Sequence, residues 1–209
     1  MQAARGASLN PSDPTEEPTD PGDPSAARPR RAARLRCLVV LALIAGLGYA
    51  LDVVSKMLAV AHLTGRPPVH VVGDLLTLYL ARNPGAAFST GTSYTLVLTF
   101  VAIAAAVAVL VAARRLGSVG WAVGLGFLLA GVLGNLTDRL FRAPAPLRGH
   151  VVDFLALPHW PIFNVADMCI NVAAVVIIVQ ALRGVSLSGA RTRRRDDGPA
   201  DPTVSEPTP

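Results

Sequence analysis

Three observations predict an all-α membrane protein with four transmembrane helices. Of the 209 residues, 52% are hydrophobic and only 16% charged. The charges crowd into the two ends and the short intervals between four apolar runs. Each run has the roughly 20 residues that cross a hydrocarbon core about 30 Å thick. A soluble domain of this length would interleave charge along its elements instead.

Taken in chain order, residues 1–34 are rich in Pro, Ala, Ser, Asp and Glu and almost devoid of large apolar side chains. Such a segment cannot bury enough surface to offset its ordering entropy, so a disordered tail is expected. The first apolar run, Cys37 to Leu63, is interrupted by Asp52 and Lys56. Arginines precede it as they would a signal peptide, but it is too long for an h-region and three more spans follow, so it should stay uncleaved. Next come two short β-like runs, Val-His-Val-Val and Leu-Leu-Thr-Leu-Tyr-Leu, within His62 to Ser93. Three further spans cover Tyr94 to Ala113, Val119 to Leu140 and Phe163 to Leu182. The expected organisation is a membrane domain over 35–185 and a second disordered tail over 186–209.

The pI near 10.0 does not indicate nucleic acid, because the arginines flank apolar runs, which is how membrane topology is encoded. Arg28, Arg30, Arg31, Arg34 and Arg36 precede the first run, Arg114 and Arg115 follow the second, and Arg183 with Arg191 to Arg195 follow the fourth. Both termini are therefore expected in the cytoplasm. Arg139, Arg142 and Arg148 oppose this count, which suggests that they serve the site rather than topology. Cys37 and Cys169 should lie too far apart to bridge and read as packing residues.

Placed by helical rise, Asp52, Lys56, Asn135, Asp138, Arg139, Asp153, Asn164, Asp167 and Asn171 all fall at the outer face. Charges inside a membrane are costly and usually line an interior or a wet cavity, so this convergence predicts one site. Several members also have a structural reading. Asp52 and Lys56, at i and i+4, could simply neutralise each other. Lys56 is the only lysine among 19 Lys and Arg residues, which points to a position that needs an ammonium. Asp138 and Arg139 could form a structural contact, and Gly120, Gly124, Ala130 and Gly134 would let a neighbouring helix approach. Asp153 and Asp167 sit in apolar strings with no basic neighbour in helical reach. Two such carboxyls would be driven to share a proton, as an acid–base pair does.

The ordered elements Asp52-x-x-Ser55-Lys56, Asn83-Pro84-Gly85-Ala86-Ala87-Phe88-Ser89, Gly131-x-x-Gly134-Asn135-x-x-Asp138-Arg139, Val152-Asp153-Phe154 and Phe163-Asn164-x-Ala166-Asp167 resemble the lipoprotein signal peptidase (signal peptidase II) family over about Leu35 to Arg183. Val53 departs from the Gln that members often carry after the first aspartate. The resemblance implies an aspartic endopeptidase with Asp153 and Asp167 as the catalytic dyad. It implies substrate-binding or supporting roles for Asp52, Lys56, Asn83, Gly85, Gly134, Asn135, Asp138, Arg139 and Asn164. It implies a small extracytoplasmic β element between helices 1 and 2, over the site. The implied substrate is a diacylglyceryl-modified prolipoprotein cut just before its lipidated cysteine, with membrane lipid around the enzyme and globomycin-type peptides as inhibitors. No metal, cofactor or nucleic acid is implied. A multi-pass monomer in the bacterial cell membrane, its site facing outward, is expected, and Trp160 could mark the interface.

Competing readings are weaker. A Ser-Lys protease would need Ser55 to face Lys56, but adjacent helical residues point apart. His62, His70, His150 and His159 lack zinc-protease spacing. A proton-coupled transporter is the alternative, since buried carboxylates also relay protons, but it needs charges through both leaflets.

Overall fold

The computed structural model describes residues 24–85 and 94–190. Among these are four long helices, α1 (Pro24–Leu63), α2 (Tyr94–Ala113), α3 (Val119–Phe141) and α4 (Val165–Leu182), and three strands, β1 (Val69–Val72), β2 (Leu76–Asn83) and β3 (Val151–Ala156). All four helices are long and apolar enough to cross a membrane. Their outward faces carry exposed Leu43, Leu47, Leu51, Phe100, Leu110 and Val175, as lipid-facing surfaces should. The helix starts at Pro24, so 24–34 differs from the expected tail. Arginine and alanine favour helix, and once α1 is nucleated it can propagate outward through them. The remainder of both expected tails lies outside the described residues, apart from 186–190.

α3 is the central helix and packs against α1, α2 and α4. Without a hydrophobic drive between helices in lipid, close backbone approach supplies the packing energy. The glycines of α3 permit it. A Cβ on Gly124 would press on Ile177 and Val176 of α4, and one on Gly126 would lie 3.1 Å from the Leu41 carbonyl of α1. Gly120 leaves room for Gln180, and Gly131 for the Ala166 carbonyl. Facing α3 from α1, Gly48 accommodates Ala130. The small residues expected to allow approach therefore do so against two different helices.

The expected β-like runs form β1 and β2, but the sheet has a third member. β3, from the α3–α4 connection, pairs antiparallel with β2 to give the order β1-β2-β3. The β element is thus not confined to the interval between helices 1 and 2. Val151-Val152-Asp153-Phe154 lacks polar alternation because all four residues are buried, and continuous apolar runs do not distinguish strand from helix. Ala81 stands opposite Asp153, and Asn83 opposite Val151. Cys37 and Cys169 are both free and buried, and Trp160 is exposed.

Candidate active site

Each element delivers its polar residues to the same end of the bundle. α4 begins where Asn164, in extended conformation, caps it: Asn164 Oδ1 accepts from Asp167 N (3.1 Å), and Asp167 Oδ2 accepts from Asn164 N (3.1 Å). This reciprocal cap satisfies two orphan donors and fixes the Asp167 carboxylate at a helix N-terminus, where the dipole favours negative charge. β3 holds Asp153 on the sheet, almost fully buried. β2 ends at Asn83, whose Oδ1 accepts from Gly85 N (2.8 Å). Gly85 has φ +111°, a conformation that side chains disfavour.

Three asparagines carry the geometry. Each gives its carbonyl oxygen to a fixed donor and thereby aims its amide nitrogen at a carboxylate. Asn83, anchored by Gly85 N, donates to Asp153 Oδ2 (2.9 Å). Asn164, anchored by Asp167 N, donates to Asp153 Oδ1 (2.6 Å). Asn135, whose oxygen accepts from Lys56 Nζ (2.9 Å), donates to Asp167 Oδ1 (2.9 Å). A further bond from Asn164 Nδ2 to Asn135 Oδ1 (3.2 Å) closes the network. Asparagine suits all three places because its amide offers an acceptor and donors on one short side chain.

Beneath this network lies a buried ion cluster. Lys56 Nζ sits 2.8 Å from Asp52 Oδ2, 3.0 Å from Asp138 Oδ2 and 2.9 Å from Asn135 Oδ1. All three ammonium donors are used, in directions that a planar guanidinium could not match. The expected Asp52–Lys56 pair is present, but it is one edge of a larger group. Asp52 Oδ1 accepts from Ala166 N (2.8 Å), tying α1 to the first turn of α4. A Cβ at Gly134 would collide with the Asp52 carboxylate, so that glycine is a space requirement.

The expected Asp138–Arg139 contact is replaced by another. The arginine that bonds Asp138 is Arg142, through Nε to Oδ1; it lies one turn further on, whereas adjacent residues diverge. Asp138 Oδ2 also accepts from Val152 N (3.1 Å), which positions β3 next to Asp153. Arg139 turns elsewhere, and its charge acts on Asp153 and Asp167. Its Nη1 is buried with no hydrogen-bond partner among the described residues. Thus tertiary structure supplies the basic neighbour that the local sequence around Asp153 and Asp167 lacks. Burial pushes the Asp153 carboxyl up to about 6; the bonds from Asn83 and Asn164 oppose that shift and the Asp167 charge reinforces it.

Apart from Asn171 and Arg148, the site residues expected from the sequence gather here, while Ala86 to Ser89 of the second motif lie outside the described residues. Asn171 takes no part in this network. Sequence reasoning left Arg142 without a partner and missed Gly149. Arg142 was visible only as one of three arginines opposing the topology count. Gly149 donates its N–H to the Arg139 carbonyl (3.0 Å), and a Cβ there would strike the Asp138 and Arg142 carbonyls. It lets the chain fold back over the end of α3 into β3, and its place after two prolines was the available signal.

Comparisons with known proteins identify the family. Residues 44–183 match the family model described as Signal peptidase (SPase) II. The lipoprotein signal peptidase of Mycobacterium tuberculosis (strain ATCC 25618 / H37Rv) is 44% identical over 189 residues, covering 90% of this chain and 91% of that protein. The lipoprotein signal peptidase of Mycolicibacterium smegmatis (strain ATCC 700084 / mc(2)155) is 46% identical over 202 residues, covering 95% and 83%. A solved bacterial membrane enzyme, determined by the in meso method, superposes with a TM-score of 0.61 at 26% identity, covering 68% of this chain and 92% of that one. These matches support a protease hydrolase in a multi-pass membrane setting and give the transporter alternative no support. With a family model spanning well over half its length and two relatives matched nearly end to end, the chain belongs to the signal peptidase II family.

Proposed function

We propose that this chain is an aspartic endopeptidase that releases signal peptides from diacylglyceryl-modified prolipoproteins, cutting just before the lipidated cysteine. The observation that carries the mechanism is the bridge made by Asn164, which bonds Asp153 through its amide nitrogen and Asp167 through its cap. One carboxylate takes a proton from water as the water oxygen attacks the scissile carbonyl. The other carboxyl donates its proton to the developing oxyanion. Collapse of the tetrahedral intermediate breaks the C–N bond, and the leaving amine of the lipidated cysteine receives a proton from the pair. Arg139 places positive charge beside these groups as negative charge develops on the substrate oxygen. Asn83, Asn135 and Asn164 hold the carboxylates, while Asp52, Lys56 and Asp138 hold Asn135, the first turn of α4 and β3.

A site at the membrane surface suits this substrate, since signal helix and lipid can remain in the bilayer during cleavage. One copy of the chain contains every proposed site residue, which fits a monomer. Purified protein given diacylglyceryl-modified and unmodified forms of one prolipoprotein should release peptide from the modified form alone, and globomycin-type peptides should block it. Turnover should survive a chelator, and also removal of residues 1–23 and 196–209, because the peptidase unit is assigned to 35–185. Equal cleavage of unmodified substrate would overturn the substrate assignment.

The proposed orientation puts the sheet and the site outside and both termini in the cytoplasm. Arg114 and Arg115 in the short α2–α3 connection, with the arginines flanking α1 and α4, support it. A reporter active only outside the cytoplasm should be active when fused at residue 70 and silent at residue 117. The opposite pattern would place the site on the cytoplasmic side.

A further inference from the structure

At the end of the bundle opposite the proposed active site, residues 184–190 fold back on the helices. Gly117 N donates to the Leu187 carbonyl (2.9 Å), Trp121 Nε1 to the Val185 carbonyl (2.7 Å), and Ser186 N to the Ala190 carbonyl (2.9 Å). Gly117 permits this contact, because a Cβ there would strike the Ser188 carbonyl. The fold-back sets Leu187 against α2 and creates a groove of about 670 Å³, lined by Val107, Ala108, Val111, Ala112, Arg115 and Leu187. That volume is within the usual range for small-molecule sites, roughly 300–1,000 Å³. Its walls are apolar except for one exposed guanidinium at its end.

Charge selects the occupant. Arg114, Arg115 and Arg183 cluster at this end, whereas every acidic residue among the described ones (Asp52, Asp74, Asp138, Asp153 and Asp167) belongs to the opposite end. Val107 and Val111 lie one turn apart on α2, and Arg115, two residues beyond the end of that helix, lines the same groove, so the apolar row leads to the cation. An amphiphile with an apolar chain and an anionic head matches this order. Basic pockets among membrane helices bind anionic lipid headgroups in this way.

We infer that the groove between α2 and the 184–190 segment is a phospholipid site, with an acyl chain along Val107, Ala108 and Val111 and an anionic headgroup on Arg115. This assignment is independent of the catalytic reading. The test is native mass spectrometry on the delipidated full chain, offered phosphatidylglycerol or phosphatidylcholine with identical acyl chains. Phosphatidylglycerol should be retained more tightly, and Arg115→Gln should erase about five-fold of that preference, the factor expected for one cation near a lipid surface. Ala108→Leu, which fills the groove, should weaken retention of both lipids while leaving prolipoprotein cleavage in detergent unchanged. Equal retention of the two lipids, or a preference left undiminished by Arg115→Gln, would overturn the site. So would an Ala108→Cys variant that cross-links to the chain's own residues 191–209 or to a second copy, since the groove would then have another occupant.

Discussion

Asp153→Asn and Asp167→Asn are each expected to abolish peptide release in a purified assay, with losses of at least roughly 10²–10⁴-fold, the usual value of one acid–base group. The two variants should differ in stability. The amide introduced by Asp153→Asn would turn its nitrogen toward either Asn83 or Asn164. Neither of those can flip to accept, because each carbonyl oxygen is committed to a backbone N–H. Asp167→Asn would give up one of two accepted bonds, at worst half of the cap on α4, for a cost of about 0.5–2 kcal/mol. Retained binding of a globomycin-type inhibitor would show that the site still forms. The pH dependence follows from burial of Asp153, which raises its carboxyl to about 6. Below that pH the pair keeps a proton to donate. As pH rises through it Asp153 ionises and the proton of the pair is lost, so kcat/KM should fall. The measured ionisations belong to the pair rather than to either residue. Near-normal turnover by either variant, or a rate that rises through pH 6 without declining, would refute the aspartic mechanism.

Removing Lys56 is expected to have the largest effect on stability. Its ammonium lies between Asp52 and Asp138 and is almost fully buried. Lys56→Ala leaves the Asp52 carboxylate with no cation partner, and breaking such a buried pair costs roughly 3–5 kcal/mol. The charges of the group are balanced: Lys56 and Arg142 against Asp52 and Asp138. Lys56→Ala combined with Asp52→Ala leaves the neutral Asp138–Arg142 pair. The double variant should therefore unfold in detergent at a higher temperature than the sum of the single losses implies. Lys56→Arg should not rescue, because a planar fork cannot serve three partners from this position. Activity should fall with stability when Lys56 is lost, since Asn135 loses the donor that orients its amide toward Asp167. Additive losses across the cycle would mean that Asp52 and Lys56 are not energetically coupled.

How much of this was legible beforehand differs by element. The four spans were readable because length and apolarity act locally: the boundaries of α2 and α3 lie within a residue of the apolar runs, and α4 starts where Asn164 caps it. The gathering of polar residues at one end was also readable, because helical rise converts position into depth. The start of α1 was not, since composition measures burial and Arg-rich sequence still propagates helix. β3 was missed because a strand buried on both faces loses its alternation.

By itself the sequence determined the class, the spans, the depth of each charge and most of the residues that meet. It also showed that position 56 wanted an ammonium, from the contrast of one lysine with 18 arginines. Tertiary structure alone decided the pairings. It gave Asp138 to Arg142 and Lys56 rather than to Arg139, turned the charge of Arg139 toward Asp153 and Asp167, and set the amide orientation of three asparagines. The physical reason is that helical position specifies height and face one element at a time. A hydrogen bond between elements depends on how closely they approach, and here glycines on α3 and at position 149 set that distance.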